Sequence, residues 1–149
     1  MRIYIAADHA GFLLKEQIKQ SLREKGHQVE DVGNSKLDTA DDYPDFVIPA
    51  AEKVAKDSGG MGIVLGRSGN GEVISANKVR GVRAALCLDE EMARLARNDN
   101  NANVLALGVN FVDGLKAEKI VEVFLDTPFP EEKRHARRVA KITSYEESS

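Results

Sequence analysis

The sequence is poor in features of secreted, membrane or nucleic-acid-binding proteins. Its single cysteine, Cys87, cannot form an internal disulfide, which fits a reducing compartment. No apolar run approaches the roughly 20 residues that cross a bilayer. The first residues run straight into a strand pattern, without the charged start and apolar stretch of a signal peptide. We therefore expect a cytoplasmic protein with no membrane segment.

There is also no excess of basic charge. The chain has 21 basic and 24 acidic residues, a formal net charge of -3, so general nucleic-acid binding is not expected. Any anion must instead be bound by a local arrangement of groups. A length of 149 residues with 42% hydrophobic and 30% charged residues predicts one domain, 1–149, that can bury a core.

Short apolar runs alternate with amphipathic stretches along the chain. Runs buried on both faces, separated by helices, predict a three-layer Rossmann-like fold with a five-stranded parallel sheet. A C-terminal helix at about 131–145 follows a break at Pro128 and Pro130. In such sheets ligands bind at the carboxyl ends of strands, near the point where strand order reverses. The predicted strands are 3–7, 27–32, 61–65, 82–87 and 103–107.

The strongest local motif is Gly-Arg-Ser-Gly-Asn-Gly-Glu at 66–72, between a strand and a helix. Glycines let backbone approach a ligand, and free N–H groups at the helix start favour an anion or oxyanion. A dinucleotide motif would need a third glycine, but Ile74 occupies that position. No Gly-Lys-Ser/Thr follows, which excludes a Walker A loop. A purely structural tight turn remains the alternative.

Three other groups are candidates, each with a structural alternative. Asp8-His9 follows the first strand, where the histidine can bind a phosphate and the aspartate can form hydrogen bonds with sugar hydroxyls. The structural alternative is that Asp8 caps the next helix. Arg134 and Arg138 share a helix face and offer two guanidinium groups to one phosphate, or else form a solvated face that answers nearby glutamates. The segment 99–101 fits a polar turn, and Cys87 fits a buried residue better than a nucleophile.

Together these segments resemble the ribose-5-phosphate isomerase B family and its galactose-6-phosphate isomerase relatives, from residue 3 to about 145. The resemblance implies a homodimer, or a dimer of dimers, with sites at the subunit boundary and the last helix packed on the partner. It implies interconversion of an aldose phosphate and a ketose phosphate through a cis-enediolate, without metal or organic cofactor. The segments on which the resemblance rests are 7–11, 42–44, 66–78, 100–103, Arg134-His135 and Arg138.

The resemblance also implies roles for individual residues. One branch of the family uses a cysteine base at the position of Gly66, and the other a glutamate at the position of Glu72, so Glu72 is the expected base. Ser68 would relay the hydroxyl proton, and the backbone of 68–71, including Gly69, Asn70 and Gly71, would stabilise the enediolate oxygen. The remaining expected contacts are Asp8, Tyr43 and Asn100 to the sugar and His9, Arg134 and Arg138 to the phosphate.

Three positions depart from the family pattern. Asp99 replaces the ring-opening histidine and is the catalytic candidate at that position. Asn110 replaces a phosphate-contacting arginine. Arg67 replaces a glycine, which adds charge at the edge of the loop and makes it a candidate substrate contact. The expected substrate is ribose 5-phosphate. Alternatives are a tetrose phosphate such as erythrulose 4-phosphate, a hexose phosphate, or a non-catalytic sugar-phosphate or nucleotide-binding module.

Overall fold

A computed structural model describes all residues, 1–149. Five parallel strands form one sheet in the order β2-β1-β3-β5-β4. Helices cover both faces, which confirms the predicted three-layer Rossmann-like fold. The elements are β1 Arg2–Ala7, a 3-10 turn His9–Gly11, α1 Phe12–Glu24, β2 Gln28–Gly33, α2 Pro44–Lys56, β3 Met61–Gly66, α3 Asn70–Asn77, β4 Ala84–Leu86, α4 Glu90–Asn100, β5 Val104–Gly108, α5 Gly114–Asp126 and α6 Lys133–Ser148.

Apolar side chains alternate to the two faces of the sheet and build a core on each. One core of 20 residues lies under α1, α4 and α5, and a second of 11 residues lies under α2 and α3. The interior strand β1 contributes Ile3 and Ile5 to the first core and Tyr4 and Ala6 to the second. This alternation follows from the two-residue period of a strand, and burial on both sides explains the continuous apolar runs.

The last helix lies outside these layers. Helix α6 packs against α4 and buries only His135, so it adds nothing to either apolar core. It begins two residues later than predicted and extends three residues further. None of the helices in the chain combines the length and apolar character needed to span a bilayer.

Most predicted elements are present with small changes at their ends, but two regions differ. Strand β4 is limited to Ala84–Leu86 because the backbone N–H groups before it bond elsewhere. Val82 N donates to Val79 O at 3.2 Å in a turn, and Arg83 N donates to Asn103 Oδ1 at 2.8 Å. Asp99 and Asn100, predicted as a polar turn, form the last turn of α4 instead, and the chain leaves the helix at Asn101 with φ of 48°.

Candidate active site

The strand order reverses between β1 and β3, because the chain passes to β2 on one side of β1 and to β3 on the other. The predicted segments flank this point. Asp8-His9 follows the carboxyl end of β1, and the glycine loop 66–72 spans the end of β3 and the start of α3. Two loops that diverge from neighbouring strands leave a crevice between them, which is where ligands bind in open parallel sheets.

The glycine loop turns sharply into α3. Gly69 has φ of +87°, and a side chain there would begin 2.6 Å from Leu86 Cδ1, so both conformation and space require glycine. Ser68 Oγ accepts a hydrogen bond from the Asn70 N–H at 3.2 Å. One of the four predicted oxyanion donors is therefore already engaged. The N–H groups of Ser68, Gly69 and Gly71 have no acceptor in the chain and are free to bind an anion.

Glu72 lies in the first turn of α3, and only 3% of its surface is exposed. Its carboxylate occupies the space beside Gly66, where a Cβ would overlap it. Burial raises the pKa of Glu72 above its usual value, opposed by a hydrogen bond from its own backbone N–H and reinforced by the charge of Asp8. The sequence left open whether burial or the helix start would prevail, and the structure decides for burial.

Tyr43 brings α2 to the glycine loop. It precedes Pro44 at the start of that helix, and its ring packs directly on Gly71, where a Cβ would lie 2.7 Å from the phenol oxygen. Proline suits the first helical position because it has no N–H to satisfy there. The phenol group therefore lies at the wall of the crevice.

Asp8 has the structural role that the sequence offered as an alternative. Its Oδ1 accepts hydrogen bonds from Ala10 N at 3.0 Å and Gly11 N at 3.3 Å, which caps the 3-10 turn. The residue is 8% exposed, and its charge contributes to the raised pKa of Glu72. Capping fixes the carboxylate in the crevice, so the cap does not exclude a ligand contact.

His9 is held by Asp41, a residue that no sequence motif indicated. His9 Nδ1 lies 2.7 Å from Asp41 Oδ1, and the His9 backbone N–H donates to the same oxygen at 3.1 Å. Ligand-type atoms of Asp8, His9 and Asp41 lie within 4.8 Å of one another. Both carboxylates already accept N–H hydrogen bonds, however, so this arrangement fits a hydrogen-bonded network better than a metal site.

The other predicted residues form a second group around α4 and α6. Asp99 Oδ1 accepts from Asn98 Nδ2 at 2.8 Å and lies 3.6 Å from His135 Nε2. Arg134 Nε pairs with Glu132 at 2.7 Å, which matches the alternative of a solvated charged face.

Asn100 and Arg138 complete this second group. Arg138 is exposed on α6. Asn100 lines an open cleft with Arg83 and Tyr145.

The two groups lie beyond opposite ends of the sheet's strands, one at the amino ends and one at the carboxyl ends. Strands β3 and β5 pair in parallel from Gly62 with Val104 to Gly66 with Gly108. Helix α4 ends just before β5 begins, whereas Glu72 lies beyond the carboxyl end of β3. Five strand residues at about 3.3 Å each put roughly 16 Å between the two ends of these strands. The structure therefore does not bring Asn100 together with Glu72 within one chain.

Two of the departures from the family pattern are neighbours. The Asn110 N–H donates to the Arg67 carbonyl at 2.9 Å, and both side chains are exposed at the rim of the crevice. The loop after β3 thus carries a cation beside the position where the loop after β5 has a neutral amide.

Cys87 is not a nucleophile of this site. It is 1% exposed, and burial raises the pKa of its thiol to about 12. The thiolate needed for nucleophilic chemistry is therefore scarce at neutral pH, as the sequence predicted.

A switch-point crevice with a buried carboxylate beside free N–H groups defines an α/β enzyme that can move protons next to an oxyanion. The comparisons with known proteins agree with this class. The family model described as Ribose/Galactose Isomerase matches residues 3–142. The chain belongs to this family, and it is an aldose–ketose isomerase of the ribose-5-phosphate isomerase type.

Individual relatives are similar over nearly the whole chain. Ribose-5-phosphate isomerase B of Mycobacterium leprae is 47% identical over 146 residues, which cover 98% of this chain and 90% of that protein. The crystal structure of the Mycoplasma genitalium enzyme with bound ribulose-5-phosphate has a TM-score of 0.96 at 45% identity, covering 99% and 97% of the two chains. The type B enzyme of Trypanosoma cruzi has a TM-score of 0.94 at 36% identity, covering both chains completely.

Proposed function

We propose that the protein interconverts ribose 5-phosphate and ribulose 5-phosphate, with Glu72 as the base. The observation that carries this proposal is the buried Glu72 carboxylate beside three unengaged backbone N–H groups at the switch point. The similarity to enzymes named ribose-5-phosphate isomerase B, one of them with ribulose-5-phosphate bound, supports the choice of substrate.

The reaction moves one proton between C1 and C2 and passes through a cis-enediolate. Glu72 takes the proton from one carbon and returns it to the other on the same face, so one carboxylate performs both halves. Its raised pKa brings it closer to the operating pH, which favours general acid–base catalysis. The N–H groups of Ser68, Gly69 and Gly71 stabilise the negative oxygen of the intermediate, while Asn70 shapes the loop through its bond to Ser68.

The other crevice residues hold the sugar phosphate. Ser68 relays the hydroxyl proton between O1 and O2. Asp8 and Tyr43 form hydrogen bonds with the sugar hydroxyls, and His9 contacts the phosphate. Arg67 adds positive charge at the rim, where an anionic substrate enters. The net reaction is an internal proton shift with no exchange of electrons with another molecule, so it needs no redox cofactor. The backbone N–H groups stabilise the negative oxygen in the proposed chemistry, which uses no metal.

We further propose that a second copy of the chain completes each site, in a homodimer or a dimer of dimers. A phosphate bound near His9 is out of reach of Arg134 and Arg138 in the same chain. His9 lies at the carboxyl ends of the strands, whereas the two arginines lie near their amino ends. Helix α6 buries one residue in its own chain and presents an otherwise open surface. Docked on a partner, it delivers both arginines and brings Asn100 to the partner's crevice.

Asp99 favours a second candidate substrate. Ribose 5-phosphate is mostly a furanose, and opening the ring needs a proton donor. Asp99 lies in a half-buried helix turn, and an ionised carboxylate has no proton to donate to the ring oxygen. A tetrose phosphate such as erythrulose 4-phosphate cannot close a furanose ring through its phosphorylated end. An enzyme lacking the ring-opening histidine is therefore suited to this open-chain substrate.

The test of the proposed base is Glu72→Gln, with Glu90→Gln as the matched control in the first turn of α4. We expect Glu72→Gln to fold and bind sugar phosphate but to lose nearly all isomerisation, while Glu90→Gln keeps it. Retention of more than about a tenth of kcat, a loss below roughly 1.4 kcal/mol, is too small for the sole base and would assign the proton transfer to another group.

A further inference from the structure

The loop between β2 and α2 places a buried carboxylate behind His9. The Asp41 side chain is 7% exposed and accepts three hydrogen bonds, two of them on Oδ1 from the ring and backbone of His9. The third runs from Asn34 Nδ2 to Asp41 Oδ2 at 3.0 Å. The His9 side chain remains 26% exposed. Asp41 is therefore fixed from both sides, while one edge of the imidazole still reaches solvent.

The contact determines which ring nitrogen carries a proton. An ionised carboxylate only accepts hydrogen bonds, and Asp41 already receives donors on both oxygens, so Nδ1 of His9 must be the donor at 2.7 Å. The ring atom left for a ligand is Nε2. In a neutral imidazole with Nδ1–H, Nε2 presents a lone pair, which repels an oxyanion. Donation from Nε2 to a phosphate oxygen thus requires a doubly protonated ring.

We propose that Asp41 is a positioning residue that fixes His9 in the Nδ1–H form and supplies the counter-charge for an imidazolium when an anion binds at Nε2. This inference rests on the proposed function only in naming that anion as the phosphate of a sugar phosphate. Asp8 adds a second negative charge within 4.8 Å and acts in the same direction. Asp41 acts through His9 and does not itself contact the substrate.

The first experiment observes the ring directly and requires no activity. Long-range proton–nitrogen spectra of ¹⁵N-histidine-labelled protein distinguish the two ring nitrogens, and His9→Asn identifies His9 among the three histidines. We expect Nδ1 of His9 to be protonated in the free protein and both nitrogens to be protonated with saturating inorganic phosphate. In Asp41→Ala, the neutral ring should change to a mixture of tautomers. An unprotonated Nδ1 in the wild type, or an unchanged spectrum in Asp41→Ala, would refute the proposal.

The second experiment separates binding from chemistry. Asp41→Ala should raise KM for the sugar phosphate about tenfold to a hundredfold, the effect of one charge-assisted contact, with a much smaller change in kcat. Asp41→Asn keeps an oxygen that accepts from His9, but its amide nitrogen faces Asn34 Nδ2. If the Asn34 side chain flips, its buried and unpartnered Oδ1 accepts a hydrogen bond from that amide. Asp41→Asn should therefore lie between the wild type and Asp41→Ala.

Asp38→Asn is the matched control for this second experiment. It removes an exposed carboxylate from the same loop and keeps the bond to Ala40 N, so KM should not change. Equal KM values for the wild type and Asp41→Ala would contradict the proposal. If the wild type does not isomerise any sugar phosphate, the proposed function fails while the spectroscopic experiment still tests the contact between His9 and Asp41.

Discussion

Replacing Gly66 with alanine should separate activity from stability, because the three atoms nearest to a Cβ at this position all belong to the Glu72 carboxylate. A Cβ at Gly66 overlaps all three carboxyl atoms of Glu72, whereas ordinary contacts begin at 3.4 Å. The carboxylate must therefore move by about 1 Å or more, a misplacement that costs about 100-fold in rate, or ~2.7 kcal/mol. The displaced atoms end a flexible side chain, so the free energy of unfolding should fall by only about 1 kcal/mol.

The matched control for Gly66→Ala lies at the other end of the same strand. A Cβ at Gly62 meets methyl groups of Val54 and Val104 at 3.0 Å, inside the core and far from the crevice. Gly62→Ala should therefore lower the unfolding temperature at least as much as Gly66→Ala but leave kcat within about twofold, since packing strain costs about 1–3 kcal/mol. The assay is ketose formation from ribose 5-phosphate, alongside thermal unfolding of both variants.

A double-mutant cycle sharpens this prediction. Glu72→Asp shortens the side chain by one methylene, so in the Gly66→Ala background it relieves the overlap, whereas in the wild type it only withdraws the base. The two substitutions should therefore be non-additive, with a smaller loss in the double variant than the two single losses combined. A Gly66→Ala protein that folds normally and keeps kcat within about threefold of the wild type would refute the placement of Glu72 or its role as the base.

Three further predictions concern pH, assembly and substrate. Because the folded-state pKa of Glu72 is raised, the unfolded chain loses this proton at lower pH than the folded chain, and the wild type loses stability as pH rises between the two pKa values. Glu72→Gln has no such proton, so its unfolding temperature should rise relative to that of the wild type between pH 4 and pH 8. An equal difference in unfolding temperature at both pH values would contradict the raised pKa. Mixing Glu72→Gln with Arg134→Ala/Arg138→Ala chains should restore one intact site in each mixed dimer, about half of wild-type activity per mixed dimer, and mixed dimers without activity would exclude a shared site. If Asp99 reflects an open-chain substrate, the wild type should have a higher kcat/KM for tetrose phosphates than for ribose 5-phosphate, and Asp99→His should raise kcat/KM for ribose 5-phosphate only. A wild type that prefers ribose 5-phosphate, with no increase in Asp99→His, would refute this explanation of Asp99.

The sequence predicted the sheet and the crevice because both depend on local patterns. Buried strands appear as apolar runs, and the order of segments places Asp8 and Glu72 after neighbouring strands. Strand β4 was predicted too long because Val82 N bonds within a turn and Arg83 N bonds the Asn103 side chain, which an apolar pattern does not reveal. Asp41 was missed because it lies in a polar loop without periodicity, where only the folded chain brings it to His9.

The separation of Asn100 from Glu72 also required the structure. Along the chain the two residues are linked only by the family resemblance, and helical spacing gives no distance between them. The strand register shows that they lie beyond opposite ends of β5 and β3. The motifs group Asn100 with Glu72, whereas the fold of a single chain holds the two residues apart.

The two edge strands of the sheet limit how copies of this chain can associate. Strand β4 has only three residues, and β2 carries charged side chains, with Asp31 bound to Lys15 and Lys19 at 2.6 and 2.7 Å and Glu30 paired with Lys53. Short or charged edges resist pairing with a strand of another molecule. Assembly by sheet extension, and with it open-ended fibre growth, is therefore disfavoured, and helix surfaces remain as the route to a closed oligomer.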